Sequence, residues 1–214
     1  MNHVNFPLRS LAAAALLCTA AVSQAAVVAI ATRSALQAIG PNSVESFSDL
    51  TINTDLGTTS LTRVASGAGY TVSSSALDSS SSLYVAAVAG SVGLSTAYYG
   101  DTLTFSGFGG AFAFGGNFYG TNILGEVASG GLTIAATDVN GSTLTTTLAG
   151  NSASGFAGFR SDVALSNVVV SMTSPSTDRY VTADNVAMVP EPSTGMLVLA
   201  SGGVLLLVGA RRRA

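Results

Sequence analysis

Carboxylates, phenols and hydroxyls are the reactive side chains this sequence has to offer. The only Cys (Cys18) and the only His (His3) lie within the first 25 residues, and the chain has no Lys and no Trp. Serine, cysteine and metal hydrolases draw their base, nucleophile or ligand from His, Cys or Lys. Zinc, haem and iron–sulfur sites lose their usual donors for the same reason. Hard cations held by oxygen remain open. Glu45 stands at the start of the first strand expected after a short helix, Asp184 stands in the last, and Asp49 follows Glu45 by four residues. If those two strands lie side by side, as first and last strands do in many jelly rolls, a structural calcium could bridge Glu45 and Asp184, with Asp49 adding an oxygen. The competing account is local: Asp184-Asn185 interrupts the last strand in a turn before Val186 resumes it.

Two further chemistries use the same inventory. A two-carboxylate glycosidase would have to use Glu45 and Glu126 as its glutamates, and no aromatic-rich cleft is visible around either. The expectation is therefore a protein that is not an enzyme. A sugar-binding surface is the alternative, with Tyr98, Tyr99 and Tyr119 as stacking faces. Adjacent Tyr98 and Tyr99 in a strand would point to opposite faces, so one platform takes only one of them. Ordinary core or surface tyrosines explain the same residues. Asp138-Val139-Asn140-Gly141-Ser142 begins like a calcium loop, but Thr143 stands where the loop needs Gly and Ala149 where it needs Glu. It reads as a hairpin turn. Gly67-Ala68-Gly69 and Gly107-Phe108-Gly109 lack the third glycine of a dinucleotide loop, with Val72 and Phe112 in its place, and read as turn glycines. Thr143 to Thr147 is a threonine-rich exposed strand, since no internal repeat supports an ice-binding array.

The elements that must position these groups are mostly short strands. Thr32 to Ile39 predicts one helix, capped by Thr32 and stopped by Gly40-Pro41. Period-two stretches separated by Gly and Ser predict strands at 44–47, 61–65, 70–73, 83–88 and 103–105, with a surface loop over 73–82. Within 107–119 the alternation puts Phe112 and Phe114 on one face and Ala111 and Ala113 on the other. Asn140-Gly141 between LTIAATDV and STLTTTL predicts a two-residue type I′ hairpin. Three more strands follow at 155–160, 167–172 and 180–188, with Val168, Val170 and Met172 facing inward. About ten short strands and one helix make the body an all-β antiparallel sandwich, jelly-roll-like rather than immunoglobulin-like.

Both ends carry different signals. Leu11 to Val22 is an apolar run behind Arg9, and Ser23-Gln24-Ala25 sets small residues for leader-peptidase cleavage between Ala25 and Ala26. Leu17 before Cys18 rules out a lipobox. At the other end, Val189-Pro190-Glu191-Pro192-Ser193 breaks any strand or helix, 195–210 is uncharged and apolar, and Arg211-Arg212-Arg213 closes the chain. The basic clusters put both ends on the cytoplasmic side and the body across the membrane. The expected division is thus a signal peptide over 1–25, a sandwich over 26–188, and a tail over 189–214 with a transmembrane helix at 195–210. The body holds four arginines against ten acids, the wrong sign for a nucleic-acid binder.

The ordered tail resembles the PEP-CTERM sorting signal of Gram-negative bacteria. That resemblance implies an exosortase as partner, which removes the tail during export after transient anchoring in the inner membrane. The body is similar to exported PEP-CTERM proteins as well, through Arg33-Ser34-Ala35-Leu36, Glu45-Ser46-Phe47, the Ala111 to Phe118 run, Gly155 to Phe159 and Ala183-Asp184-Asn185-Val186. Those proteins look like jelly-roll sandwiches. The resemblance implies a non-enzymatic surface or extracellular-matrix protein linked to exopolysaccharide or biofilm. A carbohydrate-binding module for exopolysaccharide is the alternative.

Overall fold

Alternating apolar and polar residues, interrupted by glycine and serine, leave the chain one stable solution: sheets that each bury one face. The computed structural model describes residues 26–40, 43–75, 81–88, 90–174 and 178–191. The expected signal peptide, the expected transmembrane helix at 195–210 and the arginine cluster lie outside them, as do Ala25, Pro192 and Ser193. The strands are β1 (Val28–Ile30), β2 (Val44–Glu45), β3 (Thr54–Asp55), β4 (Ser60–Ala65), β5 (Ala68–Ser75), β6 (Leu83–Val88), β7 (Ser91–Thr96), β8 (Thr102–Ser106), β9 (Ala111–Thr121), β10 (Leu132–Asp138), β11 (Thr143–Leu148), β12 (Phe156–Arg160), β13 (Leu165–Met172) and β14 (Tyr180–Pro190). Helix α1 (Arg33–Ile39) lies between β1 and β2. No described helix is long and apolar enough to cross a membrane.

Two antiparallel sheets form a sandwich. The larger runs β1-β12-β9-β14-β7-β6-β3, with β2 also on β14; the smaller runs β11-β10-β13-β8-β5-β4. Their facing sides supply one core, in which Phe105, Phe114 and Phe118 meet with ring centroids 5.0 to 6.4 Å apart. Val168, Val170 and Met172 face it as expected. Each fully buried side chain of this size contributes about 1.5–3 kcal/mol. A second cluster, on the outer face of the larger sheet, seats α1: Leu36 packs with Ile30, Ala113, Ala187 and Val189. Thr32 caps the helix as expected, its Oγ1 accepting from the Ala35 N–H at 3.1 Å.

The structure departs from the sequence expectation in three places. First, β1, β3 and β7 are strands that local pattern does not announce. Second, Phe112 and Phe114 do not share a face. Phe114 enters the main core while Phe112 packs with the helix cluster. A register shift between Val189 and Pro190, where β14 pairs β9, breaks the alternation opposite Ala111 and Ala113. Third, the Asn140-Gly141 hairpin is longer than two residues. The Gly141 N–H donates to the Asp138 carbonyl at 3.0 Å, and only Gly141 takes a positive φ, 85°. That is a turn followed by a glycine bulge, in which Asn140 avoids the left-handed conformation that type I′ demands.

Register also fixes where the chain enters and leaves. Val28 pairs Arg160, Arg160 pairs Ala113, and Ala113 pairs Val189. Three antiparallel steps make β1 and β14 run in opposite directions. The start of β1 and the end of β14 therefore share one end of the sandwich, about 14 Å apart at ordinary strand spacing. β14 runs two residues past the expected end of the sandwich at 188: Val189 is buried opposite Ala113, and only at Pro190, opposite Ala111, does the strand close.

Candidate functional site

The carboxylates nominated for calcium are divided by the sheet. β2 does lie beside β14, with Glu45 opposite Val186. Val186 belongs to the core, so Glu45 points between the sheets. There Arg63 reaches it from β4, Nη2 to Oε1 at 2.9 Å, and also grips both oxygens of Asp49, with Nη1 2.9 Å from Oδ2. The guanidinium thus occupies the position expected for the cation. Asp49 holds the Arg63 proton more tightly than usual, and its own carboxyl is lowered by that hydrogen bond. Glu45 also accepts the Phe47 N–H at 2.8 Å.

Asp184 faces the opposite way. Residues 184 and 186 would share a face in a regular strand, but a bulge intervenes, with Asn185 at a φ of 51°. Asp184 is buried on the outer face, where its Oδ2 accepts from Ser91 Oγ at 3.0 Å and from Asn185 Nδ2 at 2.7 Å. Burial raises its carboxyl, while Ser91, the Asn185 N–H and Arg33 oppose the shift. Arg33 lies close by: its Nη2 donates to Asn117 Oδ1 at 2.9 Å and to the Asn185 carbonyl at 2.7 Å. Glu45 and Asp184 consequently do not form one site. Among the described residues no three His, Cys, Asp or Glu side chains cluster as metal ligands. The two glutamates of a glycosidase are not brought together either. Glu45 sits in the Arg63 cluster, and Glu126 braces a loop by accepting from Asn122 Nδ2 at 2.9 Å.

The tyrosines separate in the same decisive way. Tyr119 is fully buried, against Ala86 and Val88, and burial pushes its phenol up. It offers no stacking face. Tyr98 and Tyr99 lie in the β7–β8 connection rather than in a strand, 44% and 52% exposed. Tyr98 borders a groove of about 300 Å³ on the outer face of the larger sheet. Register builds its floor: Asp55 pairs Tyr84, Tyr84 pairs Ser95, and Ser95 pairs Thr182, while Tyr180 pairs Thr121. The 122–126 loop forms a wall. Asn122 Oδ1 accepts the N–H groups of Leu124 and Glu126, both at 3.0 Å, which holds Ile123 up beside the groove. Tyr84, Tyr180 and Asp55 are the residues sequence inspection missed. Their strands are adjacent only through the non-consecutive order β14-β7-β6-β3.

The groove contains phenols, hydroxyls and one carboxylate, a set that can hold a polar ligand and carries no metal-ligand cluster. No family model matches the chain, and no curated protein matches it.

Proposed function

We propose that this is an exported cell-surface or extracellular-matrix protein with a jelly-roll-like body. Residues 1–25 lead it across the inner membrane, cleavage falls between Ala25 and Ala26, and the 195–210 helix anchors it until an exosortase acts on the tail beginning Val189-Pro190-Glu191-Pro192-Ser193. The body does no catalysis in this proposal.

One observation supports it above the tail sequence itself. The entry and exit of the folded body share one end of the sandwich, about 14 Å apart. A precursor with an apolar span at each terminus needs that arrangement to stand on the membrane without unfolding β1 or β14. The test is replacement of Arg211, Arg212 and Arg213 by Ser. Unprocessed or mis-oriented protein should accumulate, and mass spectrometry of the native secreted form should find neither 1–25 nor the apolar helix. An intact tail on membrane-free extracellular protein refutes the proposal. A second function, binding of exopolysaccharide, is favoured by the groove beside Tyr98.

A further inference from the structure

We infer that the groove is a saccharide site selective for uncharged sugar units over uronic or sulfated ones, with Tyr98 as stacking face and Asp55 and Thr121 as acceptors. This rests on the second function just given and adds the site, the ligand class and the roles.

The direction of the hydroxyl protons carries the selectivity. Each hydroxyl has a single proton to give. Ser95 Oγ donates to the Val181 carbonyl at 3.1 Å, and Thr182 Oγ1 donates to Ser95 Oγ at 3.0 Å. Thr182 has then spent its proton, so the 2.8 Å contact between Thr121 and Thr182 is a donation from Thr121. The chain runs Thr121 to Thr182 to Ser95 to carbonyl. Thr121 lines the groove at only 1% exposure, with its proton committed inward, so the edge it turns to the groove carries lone pairs. Asp55 adds to that acceptor surface. Its Oδ1 takes the Gly57 N–H at 2.8 Å, which fixes the carboxylate and leaves Oδ2 for the groove. Asp55 Oδ2 and Thr121 thus present lone pairs, which sugar hydroxyls meet as donors and carboxylates or sulfates do not.

Charge points the same way. Asp55 lines the groove and Asp178 is close enough to Tyr180 to raise its phenol, after burial. Arg179 turns away, its Nε on the Ser129 carbonyl at 3.0 Å and its Nη1 on the Asp178 carbonyl at 2.9 Å. An anionic polymer would meet like charge at the mouth. The phenols of Tyr84, Tyr98 and Tyr180 make no hydrogen bond to any described residue, and the rings supply apolar faces for sugar C–H groups. At about 300 Å³ the groove is at the small end of ligand pockets and takes a short stretch of a chain. Tyr180 opens β14 and Pro190 closes it, so the groove lies at the other end of the sandwich from the chain's entry and exit.

The experiment is calorimetric titration of the exported protein with neutral gluco-, manno- and galacto-oligosaccharides and with oligogalacturonate. At least one neutral sugar should bind saturably and at least tenfold more tightly than the uronate. Tyr98→Ala and Asp55→Ala should each weaken it about tenfold or more, and Tyr98→Phe should keep it within about threefold. These side chains are exposed or at the groove rim, so melting temperatures should stay unchanged and exclude misfolding. Uronate bound as tightly as any neutral sugar overturns the selectivity. Neutral binding indifferent to Tyr98→Ala and Asp55→Ala overturns the site and leaves saccharide binding elsewhere on the body. Failure of every sugar to bind overturns the site and the second function together.

Discussion

Arg63→Ala should lower stability more than removal of either of its partners. The guanidinium and Glu45 are 16% and 14% exposed, whereas Asp49 is 62% exposed. Breaking a fully buried pair costs about 3–5 kcal/mol, and an exposed pair is worth about 0–1 kcal/mol. The Arg63–Glu45 contact falls between these limits, so about 2 kcal/mol is expected, or a melting temperature roughly 4–8 °C lower for a domain of this size. Part of that loss is packing, because the guanidinium also lies over the Phe47 ring at 5.9 Å. Asp49→Asn should cost under about 1 kcal/mol. Combining Arg63→Ala with Glu45→Gln should recover part of the loss by removing the orphaned carboxylate. Thermal unfolding by circular dichroism reads all four proteins, each with and without EDTA. Native protein should melt at the same temperature in both, because the cation at Glu45 and Asp49 is a guanidinium. A fall on chelation, or an Arg63→Ala loss no larger than that of Asp49→Asn, refutes this account.

Two other substitutions test the buried carboxylates. Asp138 accepts from Asn140 N, Ser142 N and Ser161 Oγ at 2.9 to 3.0 Å, so Asp138→Ala should cost about 3 kcal/mol in chemical denaturation and loosen the β10–β11 hairpin in hydrogen exchange. Asp184 has a folded-state carboxyl raised above its unfolded value, chiefly by burial. The folded state therefore binds that proton more readily, and stability from this group is full in acid and lost as pH rises through the raised value. The melting temperature of Asp184→Asn relative to native should accordingly climb from acid to neutral pH, and a flat difference contradicts the shift.

Local chemistry wrote the helix, its Thr32 cap and the Leu83–Val88 strand plainly, because capping and alternation act within a few residues. β7 was hidden: SVGLST has a glycine in mid-strand and small polar residues that a central position between β14 and β6 turns into buried neighbours. β1 was hidden in an alanine and valine stretch that follows closely on the apolar run at 11–22. The approach of Glu45 to the last strand was legible from element order. Its separation from Asp184 was not, because it depends on one bulge residue, Asn185, whose left-handed backbone reverses the parity of the strand. Tyr98 stood out by type, whereas the groove needed five strands, β3, β6, β7, β9 and β14, to become neighbours.

The position of β14 also sets how the body bears mechanical load. Tension between the two termini acts at one end of the larger sheet, so it peels β1 from β12 one pair at a time. Tension between a ligand in the groove and the tail runs instead along β14, from Tyr180 to Pro190. That strand is flanked by β9 on one side and by β7 and β2 in succession on the other. Sliding it out would strain those ladders in shear, with many bonds stretched together rather than in turn. The body is thus weak under tension between its two ends and strong along β14, from the groove to Pro190.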